Sequence, residues 1–174
     1  MCSYPSDEEV MVAVDVGGTS IVAGIVTKNA QVYGRRTIYT EAKRGAEHVL
    51  ANMLDMLLIV LQDAREKGMD VKGIGVSTAG QIDPDSGIVS YATDTFPGWS
   101  GFPIKRRLQE RIGIPVYIEN DAYAAGWGEK YFGLARNVKD FIMLTLGTGI
   151  GGAIFVQGRL LSGSHNLAGL IGHM

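Results

Sequence analysis

Between Val10 and Thr40 three apolar, β-rich runs follow one another too closely to be anything but an antiparallel meander. Residues 10–16 form the first run, and Gly17-Gly18-Thr19-Ser20 breaks it. Residues 21–27 resume, Lys28-Asn29-Ala30 turns the chain, and residues 31–40 give the third run. Parallel neighbours would need a crossover of a dozen or more residues, and no such length separates these runs.

From residue 44 to 67 the period becomes helical. Val49, Leu50, Met53, Leu54, Leu57, Leu58 and Leu61 recur as one stripe, and Gly68 suits the position just past the end. Residues 71–77 read as a strand leading into Thr78-Ala79-Gly80. Residues 81–101 are rich in Gly, Pro, Asp and Ser and show no clear period. A stretch that long is more often a functional loop than a passive connector. Pro103 opens a short helix bearing Ile104, Leu108 and Ile112, which Gly113 closes. Residues 115–119 are a strand, and a helix begins near Asn120-Asp121 carrying Ala122, Ala125, Trp127 and Phe132. The order β-β-β-α-β-α-β-α predicts a mixed sheet covered by helices, an α/β domain complete by about residue 134.

The chain then starts again. Residues 141–146 form a strand, Gly147-Thr148-Gly149 breaks it, residues 150–157 return, and Leu160-Leu161 begins another strand after Gly158-Arg159. Set beside Val14-Asp15-Val16-Gly17-Gly18-Thr19, the run Leu144-Thr145-Leu146-Gly147-Thr148-Gly149 is the same device used twice, which suggests a duplicated fold. The expected division is a lobe over residues 1–134 and the beginning of a second over 135–174. The second copy reaches only its hairpins and the start of a helix near Leu167, so the sequence reads as truncated.

Charge and cysteine usage exclude several classes. The formal net charge is −2 with 16 Lys and Arg scattered along the chain, which offers no footprint for nucleic acid. The single cysteine, Cys2, rules out a disulfide within the chain. The apolar stretch around residues 54–61 is interrupted by Asp55 and falls short of the ~20 residues that span a bilayer. The first ten residues lack the basic-then-apolar layout of a signal peptide. A soluble cytoplasmic protein without nucleic-acid or membrane partners is expected.

Three constellations carry chemistry. Asp15, Gly17, Gly18 and Thr19 lie where a strand turns back: glycines let backbone N–H groups approach a phosphate, Thr19 adds a hydroxyl, and Asp15 could hold Mg²⁺ through water. The competing reading is a hairpin that needs glycine at positive φ, with Asp15 satisfying its own turn. Gly147, Thr148 and Gly149, followed by Gly151 and Gly152, form the second loop, and two facing loops would clamp a polyphosphate. Glu119-Asn120-Asp121 ends a strand and starts a helix. Capping explains Asn and Asp there, while Asp121 could equally accept the proton of a hydroxyl attacking a γ-phosphate, with Asn120 orienting the same substrate.

Together these residues resemble the ROK family of repressors, open reading frames and sugar kinases, within the actin-like ATPase (ribonuclease H-like) and hexokinase fold. The resemblance runs from Val10 to Met174. It is carried by Asp15-Val16-Gly17-Gly18-Thr19, Gly75-Val76-Ser77-Thr78-Ala79-Gly80, Glu119-Asn120-Asp121-Ala122, Leu146-Gly147-Thr148-Gly149-Ile150-Gly151-Gly152 and Gly172-His173. It implies a mixed five-stranded sheet in the first lobe and an ATP- and Mg²⁺-dependent kinase acting on a hexose or N-acylhexosamine. Asp121 matches the family's base and Asn120 a sugar contact. Gly80, Gln81 and Thr93 lie where members line the sugar site, and His173 matches a residue binding both a structural Zn²⁺ and the sugar. Tyr91, Phe96 and Trp99 could pack on the sugar or belong to a local core. The partner implied is a small-molecule sugar, and a homodimer is left open.

Two departures stand out. Where the family has Gly-Glu-Ile-Gly-His, this chain has Gly169-Leu170-Ile171-Gly172-His173, so an apolar side chain replaces the acid that bonds sugar hydroxyls. A site relying on that bond would lose roughly 1–3 kcal/mol. The zinc motif's cysteines are also absent, so four-ligand zinc cannot form within this chain. Little or no kinase activity is therefore expected of the 174 residues alone. A non-catalytic sugar-binding or regulatory ROK protein is the alternative. A repressor with a preceding helix-turn-helix is disfavoured because the first strand starts near Val10, and an actin-like ATPase without a sugar is disfavoured by Asn120-Asp121.

Overall fold

The computed structural model describes residues 8–147 and 149–173, with His173 described by its backbone alone. Thr148 and the His173 side chain, both expected to be functional, lie outside the described residues.

The meander forms as expected: β1 (Glu9–Val16), β2 (Ser20–Thr27) and β3 (Val32–Tyr39) pair antiparallel, and β4 (Asp70–Thr78) joins β1 in parallel. The two-stranded hairpin β5 (Gln81–Asp83) and β6 (Ile88–Tyr91) follows, and β7 (Val116–Asn120) adds parallel to β4. The main sheet has the order β3-β2-β1-β4-β7, the mixed five-stranded sheet expected. Alternation decides which face is covered. Val10, Val12, Val14 and Val16 are buried, whereas Ala13 and Asp15 face the other way.

Helix α1 (Ala46–Glu66) covers that buried face, and α2 (Ile104–Ile112) adds Ile104 and Leu108 to the same core. The stripe on α1 differs from the sequence reading. Val49, Met53, Met56, Leu57, Val60 and Ala64 are buried, while Leu58 is 55% exposed. Leu58 sits one residue, hence about 100°, beyond Leu57 and so leaves the buried stripe.

The segment 81–101 is less irregular than its composition suggests. The short β5–β6 hairpin buries Ile82 and Val89, and Asp83 holds the connecting turn through the Asp85 N–H and Ser86 Oγ. Beyond it Phe96 and Trp99 are core residues, with Trp99 stacked between Phe96 and Phe102 at 5.5 and 5.4 Å. Tyr91 stays exposed.

A second, three-stranded antiparallel sheet has the order β10-β9-β8, built from β8 (Phe141–Leu146), β9 (Ile150–Val156) and β10 (Arg159–Leu160). Its inner face meets α3 (Asp121–Tyr131): Tyr123 and Trp127 pack with Phe141, Met143, Ala153 and Phe155. Gly126 makes the approach feasible, because a Cβ there would lie 2.7 Å from the Cβ of Ala153. So α3 continues from the first sheet and packs on the second. Ile142, Leu144, Leu146 and Ile150 remain exposed along β8 and β9. No regular helix follows near Leu167; turns lead into a 3-10 segment at Ile171–His173. Left-handed Gly163 and Asn166 interrupt the run before a helix can propagate. Among the described residues no helix is long and apolar enough to cross a membrane.

Candidate active site

Three parallel-running strands end together, and their register sets the site. Asp15 pairs with Ser77, which pairs with Glu119; in the next row Val16, Thr78 and Asn120 align. Ligands in open α/β sheets bind beyond such carboxyl ends. Ser77 Oγ donates to Asp15 Oδ1 at 2.7 Å, so Asp15 is held by the neighbouring strand and not by its own turn.

The first glycine hairpin continues from Asp15. Gly17 N–H donates to the Ser20 carbonyl at 3.0 Å, whereas the amides of Gly18 and Thr19 donate to no acceptor among the described residues. Neither Gly17 nor Gly18 has positive φ. At Gly17 the demand for glycine is therefore one of space and not of turn handedness. A Cβ on Gly17 would sit a tight 3.3 Å from the Ser20 carbonyl oxygen, whereas one on Gly18 would make only an ordinary contact, 3.6 Å from Thr95 Cγ2. Two unused N–H groups beside a carboxylate are suited to a phosphate accompanied by a cation.

The second loop approaches from the other sheet. Gly147 N–H donates to the Gly149 carbonyl at 3.0 Å. Gly151, at its foot, leaves no room for a side chain between Thr145 Oγ1 and the Cβ of Ala122, the latter 2.9 Å from a built Cβ. The root of the second hairpin therefore rests on the first turn of α3, one residue from Asp121.

Asn120 caps α3: its Oδ1 accepts from Tyr123 N–H at 3.1 Å while its Nδ2 donates to the Gly80 carbonyl at 2.9 Å. The side chain is 5% exposed, so its amide braces the strand end from beneath. Gly80 itself has φ 113°, and a Cβ would come within 2.8 Å of the Tyr91 carbonyl oxygen, so only glycine fits. Gln81 Nε2 donates to the His165 carbonyl at 2.6 Å, tying the β5 hairpin to the last segment of the chain. Thr93 is exposed, with its Oγ1 donating to Thr95 Oγ1 at 3.2 Å beside the first hairpin.

Asp121 opens α3 and accepts the Ala122 N–H at 2.8 Å. The residue is open to solvent, yet its carboxyl is crowded enough for desolvation to push its pKa up, and the charge of Asp15 adds in the same direction. The two carboxylates thus share one field across the mouth of the site.

Sequence reasoning gave no role to Glu119 and did not single out the Ser77 hydroxyl. Glu119 lines a cavity of about 280 Å³ with Tyr123, Trp127, Arg159, Ser162 and Asn166, and burial raises its pKa. The signal for Ser77 was its place in the strand-end row, visible only once the register is known. A raised folded pKa means the fold disfavours the carboxylate. Glu119→Gln should therefore raise Tm at pH 7.5, with the gain fading as the pH falls through the Glu119 pKa. Melting curves from pH 4 to 8 check this.

The donor set suits one metal and not another. Asp15, with Asp121 opposite and free amides alongside, fits a Mg²⁺ that keeps most of its waters. For zinc the residues do not fit: the chain has one cysteine and three histidines, and among the described residues no three metal-binding side chains gather. Leu170 packs on the cluster of Tyr123, Ala153 and Phe155.

Comparison with known proteins gives a consistent result. The ROK family model matches residues 11–174. A glucokinase of Halalkalibacterium halodurans is 36% identical over 163 residues, 94% of this chain and 49% of that protein. A beta-glucoside kinase of Listeria innocua is 34% identical, with 93% and 52% covered. Among solved structures, a ROK family glucokinase from Streptomyces griseus in complex with glucose and AMPPNP superposes with a TM-score of 0.81 at 34% identity, covering 95% of this chain and 50% of that one. The chain spans about half the length of the relatives it matches.

Proposed function

Because the chain belongs to the ROK family, we propose that it supplies the general base and one of two phosphate-gripping hairpins of an ATP-dependent kinase for a hexose or N-acylhexosamine hydroxyl. The observation that carries this reading is the meeting of Asp121, Asp15 and the unused Gly18 and Thr19 amides at one end of the sheet. The relatives' names, glucokinase and beta-glucoside kinase, support the substrate class.

Asp121 accepts the hydroxyl proton as the sugar oxygen attacks, and desolvation, with the charge of Asp15, raises its pKa in the direction that makes it a better proton acceptor. Gly18 and Thr19 donate to phosphate oxygens, joined from the other sheet by Gly147, Thr148 and Gly149. Mg²⁺, held through water by Asp15, would neutralise phosphate charge when bound. Gly80, Gln81 and Thr93 line the sugar side. Asn120 sets that wall through Gly80 and presents what remains of its amide to the substrate. His173 is a sugar contact by the same reading, and its zinc role requires ligands from outside this chain. The setting is cytoplasmic.

Amide NMR of the 174-residue chain with Mg·AMPPNP should move Gly18 and Thr19, and a coupled ADP-release assay over a sugar panel should show little turnover. Unmoved amides would remove the hairpin from the nucleotide site; robust turnover would show that the chain is sufficient alone.

The electrostatic pairing is testable separately. In Asp15→Asn the Asp121 carboxyl, followed by its ¹³C shift, should titrate at lower pH than in the wild type, because a neighbouring negative charge has gone. An unchanged titration would mean that the two groups do not sense each other.

One observation favours a second reading, a sugar-binding or regulatory protein without catalysis. Leu170 stands where the resemblance calls for a sugar-binding acid, and it is spent on packing. Calorimetric binding of a sugar without phosphorylation would favour it.

A further inference from the structure

The Gly17–Thr19 turn is gripped from outside by a buried residue just past β3. Thr40 is fully buried at 0% exposure. Its N–H donates to the Thr19 carbonyl at 2.9 Å, and its Oγ1 donates to the Gly17 carbonyl at 2.6 Å. The two bonds hold carbonyls on either side of Gly18. Thr40 is itself anchored, because Asn52 Nδ2 of α1 donates to its carbonyl at 3.4 Å.

Peptide planarity turns this grip into control of the ligand-facing side. In a trans peptide the carbonyl of one residue and the N–H of the next point in opposite directions. Holding the Gly17 carbonyl against Thr40 therefore aims the Gly18 N–H away from the protein. The second bond fixes the plane between Thr19 and Ser20 in the same way. The intervening plane, which carries the Thr19 N–H, is bracketed by two fixed neighbours. The grip matters because the Gly17–Gly18 plane joins two glycines, which have no Cβ to resist rotation. A flipped plane would present a carbonyl oxygen, and so repulsion, to an anion.

We infer that Thr40 is a positioning residue for phosphate recognition, its buried hydroxyl locking the Gly17–Gly18 peptide with its N–H outward. The inference rests on reading the hairpin as a phosphate cradle. A hydroxyl is required and a methyl alone is not enough: valine matches the shape of threonine but leaves the Gly17 carbonyl without its donor.

The test uses this chain and two probes, Mg·AMPPNP and inorganic tripolyphosphate, followed by the ¹⁵N–¹H signals of Gly18 and Thr19. In the wild type both probes should shift these signals. In Thr40→Val the dissociation constant should rise about tenfold for both, while Thr40→Ser stays within about twofold of wild type. Thr40→Ala carries the same expectation as valine, should the latter fold poorly. Equal binding by wild type and the valine or alanine variant would overturn the inference while leaving the cradle in place. Serine failing as badly as valine would also overturn it, since packing and not the hydroxyl would then be responsible. Wild-type amides unmoved by either probe would defeat the cradle reading itself, and the role of Thr40 with it.

Discussion

Asp121→Asn is expected to abolish sugar phosphorylation while leaving the fold and nucleotide binding intact. The asparagine oxygen can still accept the Ala122 N–H, so the start of α3 keeps its geometry. What is lost is the capacity to take a proton, and losing a general base costs about 10²–10⁴ in rate. Stability should move the other way. The folded-state pKa of Asp121 is raised by desolvation and by Asp15, so its carboxylate form burdens the fold at neutral pH. That burden disappears as the pH falls through the raised value. The variant should melt at or above the wild-type temperature at pH 7.5, and the difference should vanish in acid. ADP release from whatever length of the protein supports turnover, measured beside thermal melts, separates lost chemistry from lost structure. Unchanged turnover would remove Asp121 from the role of base.

Trp99→Ala should be the most damaging single change to stability. The indole is fully buried, stacked between Phe96 and Phe102, and its Nε1 donates to Thr78 Oγ1 at 3.2 Å. Truncating such a side chain costs about 3–5 kcal/mol, against a typical domain stability of about 5–15 kcal/mol. Thr78 is the last residue of β4, two before Gly80, so the damage should reach the sugar-facing wall as well. Trp99→Phe keeps the stack and gives up the hydrogen bond, for a loss nearer about 1 kcal/mol. Urea unfolding of both variants checks the ranking. An alanine variant within about 1 kcal/mol of wild type would mean that this segment is not core.

The main sheet was legible because its signals were local and repeated. Three short-linked apolar runs admit one pairing, and the stripe from Val49 to Leu57 admits one element. Asp15 and the Gly17–Gly18 pair could be singled out because carboxylate and glycine at a strand end have few other uses. What stayed hidden depended on register or on distance in sequence. Ser77 gains its meaning from standing opposite Asp15, and Thr40 from a bond across 23 residues to Gly17. The β5–β6 hairpin escaped because a three-residue strand shows no period. Phe96 and Trp99 offered equal claims to core and cleft until burial decided for the core. The competing account of the first hairpin failed on one number, the sign of φ at two glycines, which no sequence displays.

Helix α3 has its first residue pinned to the main sheet by the Asn120 cap, and its flank is fastened to β9. Mechanically it is an arm clamped near its fulcrum. Eleven residues give it a length of about 16 Å. If the second sheet swings by 10°, the far end of the arm sweeps about 3 Å over that length. Asp121, beside the pivot, barely travels. The carboxylate can therefore keep its bearing on Asp15 while the far end of α3 moves with the sheet packed on it.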